Sequence, residues 1–163
     1  MASGDTLLLF HAYMNEPTSG SYATLDHHNQ HVVLDFDQDD EEYAVFAGIM
    51  PQNYSGTTGV TVYIHWLTSV TTGDVDWDVY WELLGDDEQS LDSDGFATAN
   101  GVDDCAPGSS AYELVIDSIA FTDGADMDSV QAGDGFRLKI RRDAGSDTAT
   151  ADAMLRFIEV RET

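Results

Sequence analysis

Apolar and polar residues alternate with a period of two along most of the chain, which is the pattern of half-buried β-strands. In one such run, Trp77, Val79 and Trp81 occupy one side, and Asp76 and Asp78 occupy the other. The pattern predicts that the two tryptophans pack in a core while the carboxylates face water. No segment shows a sustained helical period, so the chain is predicted to be all-β.

The alternation predicts about nine strands, separated by turns rich in glycine and aspartate. They are expected at 6–12, 31–36, 43–50, 59–69, 71–84, 96–100, 112–117, 136–141 and 151–160. Many short antiparallel strands in 163 residues favour a single-domain β-sandwich over residues 1–163, with residues 1–5 as a mobile arm. A jelly roll of eight to nine strands is the first prediction, because it closes two sheets and protects their edges. An immunoglobulin-like sandwich is the second.

Charge changes the picture most. The chain has 31 acidic and 6 basic residues, a formal net charge of −25, and 23 of the acids are aspartate. All six basic residues lie at or after Arg137, and Lys139 is the single lysine. Nucleic-acid binding needs clustered cations and is therefore excluded, and anionic membrane surfaces are disfavoured for the same reason.

Such a charge repels itself, and this repulsion is tolerable where salt screens it. An aspartate-rich and lysine-poor surface therefore predicts adaptation to high salt. Bound Ca²⁺ ions and a merely acidic surface are the alternatives.

The acidic run that follows the predicted strand 31–36 contains a candidate metal site. Asp35, Asp37 and Asp39 have a spacing that lets carboxylates converge on a hard cation such as Ca²⁺. The run lacks the glycine and the glutamate that an EF-hand loop requires, so a solvated acidic turn is the competing interpretation. No cofactor is otherwise predicted.

Other residue types point to no chemistry. The histidines at 27, 28 and 31 could ligate zinc, but neighbouring strand residues point to opposite faces, so a surface cluster is the preferred interpretation. Cys105 lies beside Asp103 and Asp104, whose charges disfavour a thiolate nucleophile. No catalytic residue is predicted, and the protein is predicted not to be an enzyme.

The aromatic residues could form a platform on which a sugar stacks. Trp77 and Trp81 are assigned to the core by their alternation. Tyr63 and Tyr80 lie on the polar side of their strands and are the candidates for exposed aromatic rings.

The basic residues near the end of the sequence form a stripe. Arg137, Lys139 and Arg141 alternate on one strand face, and Arg142 follows. In so acidic a chain, the stripe is expected to pair with carboxylates. These carboxylates belong either to the same chain or to a second subunit, so the four residues are also candidates for a subunit contact.

Several segments resemble small β-sandwich structural proteins encoded by tailed viruses. They are 31–36, 46–51, 60–66, 72–77, 132–138 and the closing segment 153–163. The resemblance implies a capsid decoration or cement protein, or a fibre or spike head, of a kind that is commonly trimeric. It implies no catalytic residues.

Two functions follow as hypotheses. The first is a virion surface protein adapted to high salt, which packs as a symmetric homo-oligomer, expected to be a trimer, against a major capsid protein or another virion protein. The second is a carbohydrate-binding or adhesion module, with or without the aid of Ca²⁺, which includes a tail-fibre or spike head. An exposed aromatic cleft would favour the second.

Overall fold

The computed structural model describes residues 4–87 and 89–163 and confirms an all-β antiparallel sandwich. In this part of the chain ten strands are present. They are β1 (Thr6–His11), β2 (Thr24–His28), β3 (His31–Phe36), β4 (Glu42–Ile49), β5 (Val60–Thr68), β6 (Val75–Leu84), β7 (Asn100–Cys105), β8 (Val115–Phe121), β9 (Gly135–Arg142) and β10 (Ala153–Glu162). Two single-turn 3₁₀ helices lie at Ala12–Met14 and Ala125–Met127.

Two sheets form the layers of the sandwich. The larger has six strands in the order β2-β3-β10-β5-β8, and β1 also pairs with β10. The smaller has the order β4-β9-β6-β7. β10 is therefore the central strand of the larger sheet. It pairs along one edge with β5 and along the other with β3 and then β1.

The core lies between the sheets and is built from the inward positions of each strand. Trp66, Trp77 and Trp81 are at most 1% exposed, as the alternation predicts for Trp77 and Trp81. The Trp66 ring meets Trp77 edge-on at 6.0 Å between ring centres. Nε1 of Trp66 also donates a hydrogen bond to Asp117 Oδ2 (2.7 Å), so the polar atom of this buried indole has a partner.

Some predicted strand boundaries are wrong. β2 is missing from the prediction because its five residues do not alternate in polarity. β7 lies in a segment expected to be a turn, and the strand expected at 96–100 begins only at Asn100. These edge strands bury few side chains, so they carry little periodic signal.

A buried arginine joins the two layers at one end of the sandwich. Arg142 is 0% exposed and its Nε donates to Asp147 Oδ2 at 2.7 Å. Its Nη1 donates to the carbonyl oxygens of Phe36 and Ala151 (3.1 and 3.0 Å), and its Nη2 to that of Ala149 (3.4 Å). The guanidinium thereby fastens the connection between β9 and β10 to the end of β3.

The rest of the basic stripe faces outward on β9 and pairs with carboxylates of the same chain. Arg137 contacts Glu82, and Arg141 contacts Asp78. Lys139 instead lies over aromatic rings, 4.2 Å from the centre of Tyr80 and 4.3 Å from that of Phe96. The structure thus accommodates the stripe within one molecule, and a subunit contact stays a prediction.

The first residues of the described chain are attached to β10. Gly4 donates a hydrogen bond to the carbonyl of Glu162 (2.7 Å), and Glu162 donates to the carbonyl of Asp5 (3.1 Å). The predicted arm therefore does not include residues 4 and 5, and its first three residues lie outside the described part. Within the described ranges, no helix is long and apolar enough to cross a membrane.

Candidate binding site

The outer face of the six-stranded sheet carries several apolar side chains that water can reach. Leu114 and Ile116 are 46% and 52% exposed, and Leu9 on β1 is 47% exposed. The register aligns Ile116 on β8 with His65 on β5, and His65 with Phe157 on β10. This face therefore differs from the acidic surface that the composition leads one to expect.

A pocket of about 490 Å³ opens on this face, and we call it the sheet pocket. Its residues come from the β2–β3 hairpin, from β10 and β5, and from the segment before β8. They are His28, Asn29, His31, Val33, Leu67, Tyr112, Leu114, Arg156 and Phe157. Val33 and Leu67 are buried at its floor, so the pocket has an apolar base and a polar rim.

The hairpin that forms one wall turns within two residues. Asn29 and Gln30 both have positive φ (45° and 68°), as the type I′ turn of a two-residue hairpin requires. His28 and His31 pair directly across this turn, so their side chains share one face of the hairpin. The turn therefore brings both imidazoles to the pocket.

A tyrosine with a strained backbone packs against this hairpin wall. Tyr112 has φ 63°, which is costly for a bulky residue, and its amide donates to the carbonyl of Thr68 (2.7 Å). Its ring stacks on the His28 imidazole, with 3.9 Å between ring centres and 18° between ring planes. Because strained backbone persists only where its surroundings hold it, this tyrosine is a candidate functional residue.

A bulge in β10 explains why two consecutive residues line the same pocket. The pairing of β10 with β5 shifts register between Leu155 and Phe157. Such a bulge re-aims side chains that would otherwise alternate between the two faces. Arg156 and Phe157 therefore both reach the pocket, with the guanidinium carbon of Arg156 4.3 Å from the centre of the Phe157 ring.

The predicted aromatic candidates do not lie in this pocket. Tyr63 is half-buried under the guanidinium of Arg161 (4.1 Å to the ring centre), and Tyr80 lies under Lys139 on the other sheet. A cation thus covers a face of each ring, as Arg156 does for Phe157, but neither tyrosine is among the residues that line the pocket. Tyr112 carries the more accessible ring, 43% exposed.

The predicted metal candidates are spread over a strand end and a turn. Asp37 Oδ1 accepts hydrogen bonds from the amides of Asp39 and Asp40 (2.7 and 3.1 Å), so it shapes the turn. Asp35 faces a small pocket of about 90 Å³ with Asp37, Glu42 and two further residues. Among the residues that the structure describes, no group of three or more His, Cys, Asp or Glu side chains is arranged to hold a metal ion.

The ionised carboxylate of Asp35 is instead in an unfavourable environment. Its Oδ1 is buried and has no hydrogen-bond partner among the described residues. Burial, followed by the repulsion of Asp152, Asp26, Glu42 and Asp37, raises the pKa of Asp35 to about 6. The ionised side chain therefore opposes folding at neutral pH.

We expect Asp35→Asn to stabilise the protein at pH 8. The folded-state pKa lies above the unfolded value, so the penalty is present above pH 6 and fades as the folded protein takes up its proton between about pH 6 and 4. The variant should raise Tm by about 2–4 °C at pH 8, the shift that 1 kcal/mol produces in a domain of this size, and by less at pH 5. Thermal denaturation at the two pH values measures the difference.

Asp39→Asn is the matched control, because this carboxylate is exposed and lies four residues further along, in the turn that follows β3. It should change Tm little at either pH. If millimolar CaCl₂ stabilised the wild type and Asp35→Asn abolished that gain, the acidic turn would be a calcium site and this account would be wrong.

Two smaller sequence inferences have clear outcomes. Cys105 is buried, and burial followed by the charge of Asp117 raises the pKa of its thiol, while Asp103, one of the two acids named from the sequence, contributes less. Of the histidine cluster, His28 and His31 line the sheet pocket while His27 contacts Tyr13 (3.3 Å). The opposite-face argument separates His27 from the other two histidines, whereas His28 and His31 share one face of the hairpin and meet at the pocket.

Comparison with known proteins gives the fold. No family model matches the chain, and no curated protein matches it either. A family 35 carbohydrate-binding module from an environmental isolate matches with a TM-score of 0.55 and 12% identity, over 94% of this chain and 92% of that one. The family 35 module of Abf62 from Cellvibrio japonicus matches with a TM-score of 0.50 and 9% identity, over 94% and 91%.

A larger protein contains a similar fold. A family GH115 4-O-methyl-α-glucuronidase, BtGH115A, matches with a TM-score of 0.55 and 13% identity. The match covers 99% of this chain but 18% of the glucuronidase, so the chain spans less than a fifth of that protein.

At these identities the matches show a jelly-roll β-sandwich and nothing finer. They support the fold part of the predicted resemblance. They give no support to an origin in a tailed virus. Both family 35 matches cover more than nine-tenths of each chain, and both proteins are named as carbohydrate-binding modules.

Proposed function

We propose that the chain is a non-catalytic carbohydrate-binding module that holds a sugar unit in the sheet pocket. The observation that carries the proposal is the pocket itself, with an apolar floor, the exposed ring of Tyr112, the half-buried ring of Phe157 and a polar rim on an otherwise acidic molecule. The fold that the chain shares with the family 35 modules supports the proposal.

The dimensions and chemistry of the pocket suit a small polar ligand. Ligand pockets typically enclose about 300–1,000 Å³ and combine apolar walls with a few placed polar groups. A pyranose ring has apolar C–H faces that pack on aromatic rings, here those of Tyr112 and Phe157. Its hydroxyl groups would find the imidazoles of His28 and His31 and the amide of Asn29, each of which both donates and accepts hydrogen bonds.

The virion-surface hypothesis has no comparable feature behind it. The basic stripe, the candidate subunit contact, pairs largely within the chain. Symmetric assembly and contact with a capsid protein therefore stay predictions.

The test is a screen of oligosaccharides followed by titration calorimetry with a matched pair of variants. Tyr112→Ala should weaken binding at least about tenfold, which corresponds to 1.4 kcal/mol, because it removes the stacking ring and the wall that stacks on His28. Tyr22→Ala is the control, because this tyrosine is equally accessible at 48% but is not among the residues that line the pocket.

If Tyr112→Ala and Tyr22→Ala lost the same fraction of the oligosaccharide affinity, the binding site would lie elsewhere. The same conclusion would follow if both variants kept the full affinity. Phe157→Ala tests a second residue of the pocket, provided that its Tm shows a folded protein. Binding that survives both pocket variants would contradict the proposal.

A further inference from the structure

We propose that the sugar unit bound in the sheet pocket is anionic, with its carboxylate or sulfate group held by Arg156. This inference rests on the proposed function and names the substrate class of that site. It follows from where the chain places its few positive charges.

The lining of the pocket contains no acidic residue, although the molecule as a whole is strongly acidic. The chain has a formal charge of −25, and about one residue in five is acidic, yet none of the nine residues that line the pocket is acidic. The lining contains one permanent cation, Arg156, and two side chains that carry either no charge or a positive charge, His28 and His31. A pocket for neutral sugars does not need this exclusion of carboxylates.

Arg156 differs from the other arginines because nothing described neutralises it. Arg137, Arg141, Arg142 and Arg161 each pair with a carboxylate. Arg156 forms no ion pair with any other residue in the described ranges. In a chain with many more acids than bases, an arginine without a carboxylate partner is unusual.

Arg161 lies on the same strand and gives the comparison. Its guanidinium carbon lies 4.1 Å from the centre of the Tyr63 ring, much as Arg156 lies 4.3 Å from that of Phe157. Arg161, however, donates to Glu159 at 2.8 Å, so its charge is compensated. Both arginines lie on β10, on the outer face of the sheet, and each contacts an aromatic ring. They differ because a carboxylate pairs with the guanidinium of Arg161 but not with that of Arg156.

Arg156 is held in place but keeps donors free. Its Nη1 donates to the carbonyl of Val32 (3.2 Å), and the ring of Phe157 packs against the guanidinium plane, so the side chain is oriented before any ligand arrives. One hydrogen bond leaves further N–H groups of the guanidinium available at the pocket. Charge-assisted bonds from such a fork to a carboxylate or sulfate are short and strong.

The experiment compares ligands that differ only in charge. A uronic-acid oligosaccharide is titrated against its methyl ester, which keeps the skeleton and loses the charge, and a neutral oligosaccharide is titrated against its sulfated form. Wild type should bind the charged member of one pair at least about tenfold more tightly, and the pair that shows this preference identifies the anionic group. Its affinity should fall with added KCl.

Three variants test whether Arg156 causes the preference for the charged ligand. Arg156→Gln should abolish the difference between charged and uncharged ligands while it leaves binding of the uncharged ligand measurable. Arg156→Lys should restore part of it, since the charge remains and the fork is lost. Arg161→Gln should keep the full preference.

The outcomes separate this inference from the proposed function. If wild type binds charged and methyl-esterified ligands equally and Arg156→Gln changes neither, the pocket binds sugars but the inference is wrong. If Arg156→Gln and Arg161→Gln reduce the preference for the charged ligand equally, the electrostatic potential of the whole outer face is responsible. Arg156 then does not bind the anionic group. If no oligosaccharide of either kind binds, the proposed function itself fails.

Discussion

Arg142→Met should lower the free energy of unfolding by about 3–5 kcal/mol, the cost of removing one partner of a buried ion pair. The substitution leaves the Asp147 carboxylate, 2% exposed, without its cation. It also removes the donor for three carbonyl oxygens. Two of these hydrogen bonds are buried, and a buried carbonyl left unpaired costs about 1–3 kcal/mol if no water replaces the donor. Urea denaturation followed by tryptophan fluorescence measures the loss.

Arg156→Met is the matched control, because it makes the same chemical change at an arginine without an ion pair. It should cost less than about 1 kcal/mol. The double variant Arg142→Met/Asp147→Asn should be more stable than the sum of the single losses predicts, since neither charge is then left alone. If Arg142→Met and Arg156→Met lost equal stability, the guanidinium would not fasten the connection between β9 and β10.

Raising KCl from about 0.1 M to about 2 M should raise Tm by about 10 °C, the shift that roughly 3 kcal/mol produces in a domain of this size. Within the described residues, six carboxylates form ion pairs with arginines: Glu41, Asp78, Glu82, Asp143, Asp147 and Glu159. Most of the acids in the described ranges are not among these six, and their mutual repulsion is relieved when salt shortens the screening length to ~3 Å at 1 M.

A variant with fewer charges separates screening from other effects of salt. It converts five exposed aspartates to asparagine: Asp86, Asp87, Asp92, Asp103 and Asp104. Its Tm at low salt should be higher and its response to KCl flatter than those of wild type. A flat response of the wild type to KCl together with a sharp rise in millimolar CaCl₂ would contradict salt screening and favour structural calcium.

Much of the fold could be predicted from the sequence because its central strands are buried on one side. The alternation in β5, β6 and β9 reflects a face packed on the core, and Trp77 and Trp81 lie where it predicts. β2 gives no such signal, because four of its five residues are exposed. An edge strand is specified by its partner and by the turn at Asn29 rather than by its own pattern.

The site could not be predicted, because it depends on contacts between residues distant in sequence. His28 belongs to a histidine cluster visible in the sequence, but Tyr112, its stacking partner, is 84 positions away in a segment that the alternation predicts to be a strand. The shared position of Arg156 and Phe157 depends on a bulge, and a period of two predicts that they point to opposite faces. The sequence instead favours Tyr63 and Tyr80, which lie on the polar side of their strands but are not among the residues that line the pocket.

The position of β10 at the centre of the larger sheet sets the order in which the protein can fold during its synthesis. β1, β3 and β5 leave the ribosome long before β10, yet each has it as a pairing partner, for example Phe10 with Ile158. Until that last strand emerges, their edges are open to pairing with other chains, and the nascent polypeptide depends on its charge or on chaperones to avoid aggregation. Folding governed by such long-range pairing is slow, in the range of milliseconds to seconds for β-sandwiches. The dense negative charge that opposes the folded state therefore has a benefit while the chain is unfinished, because it keeps nascent chains apart.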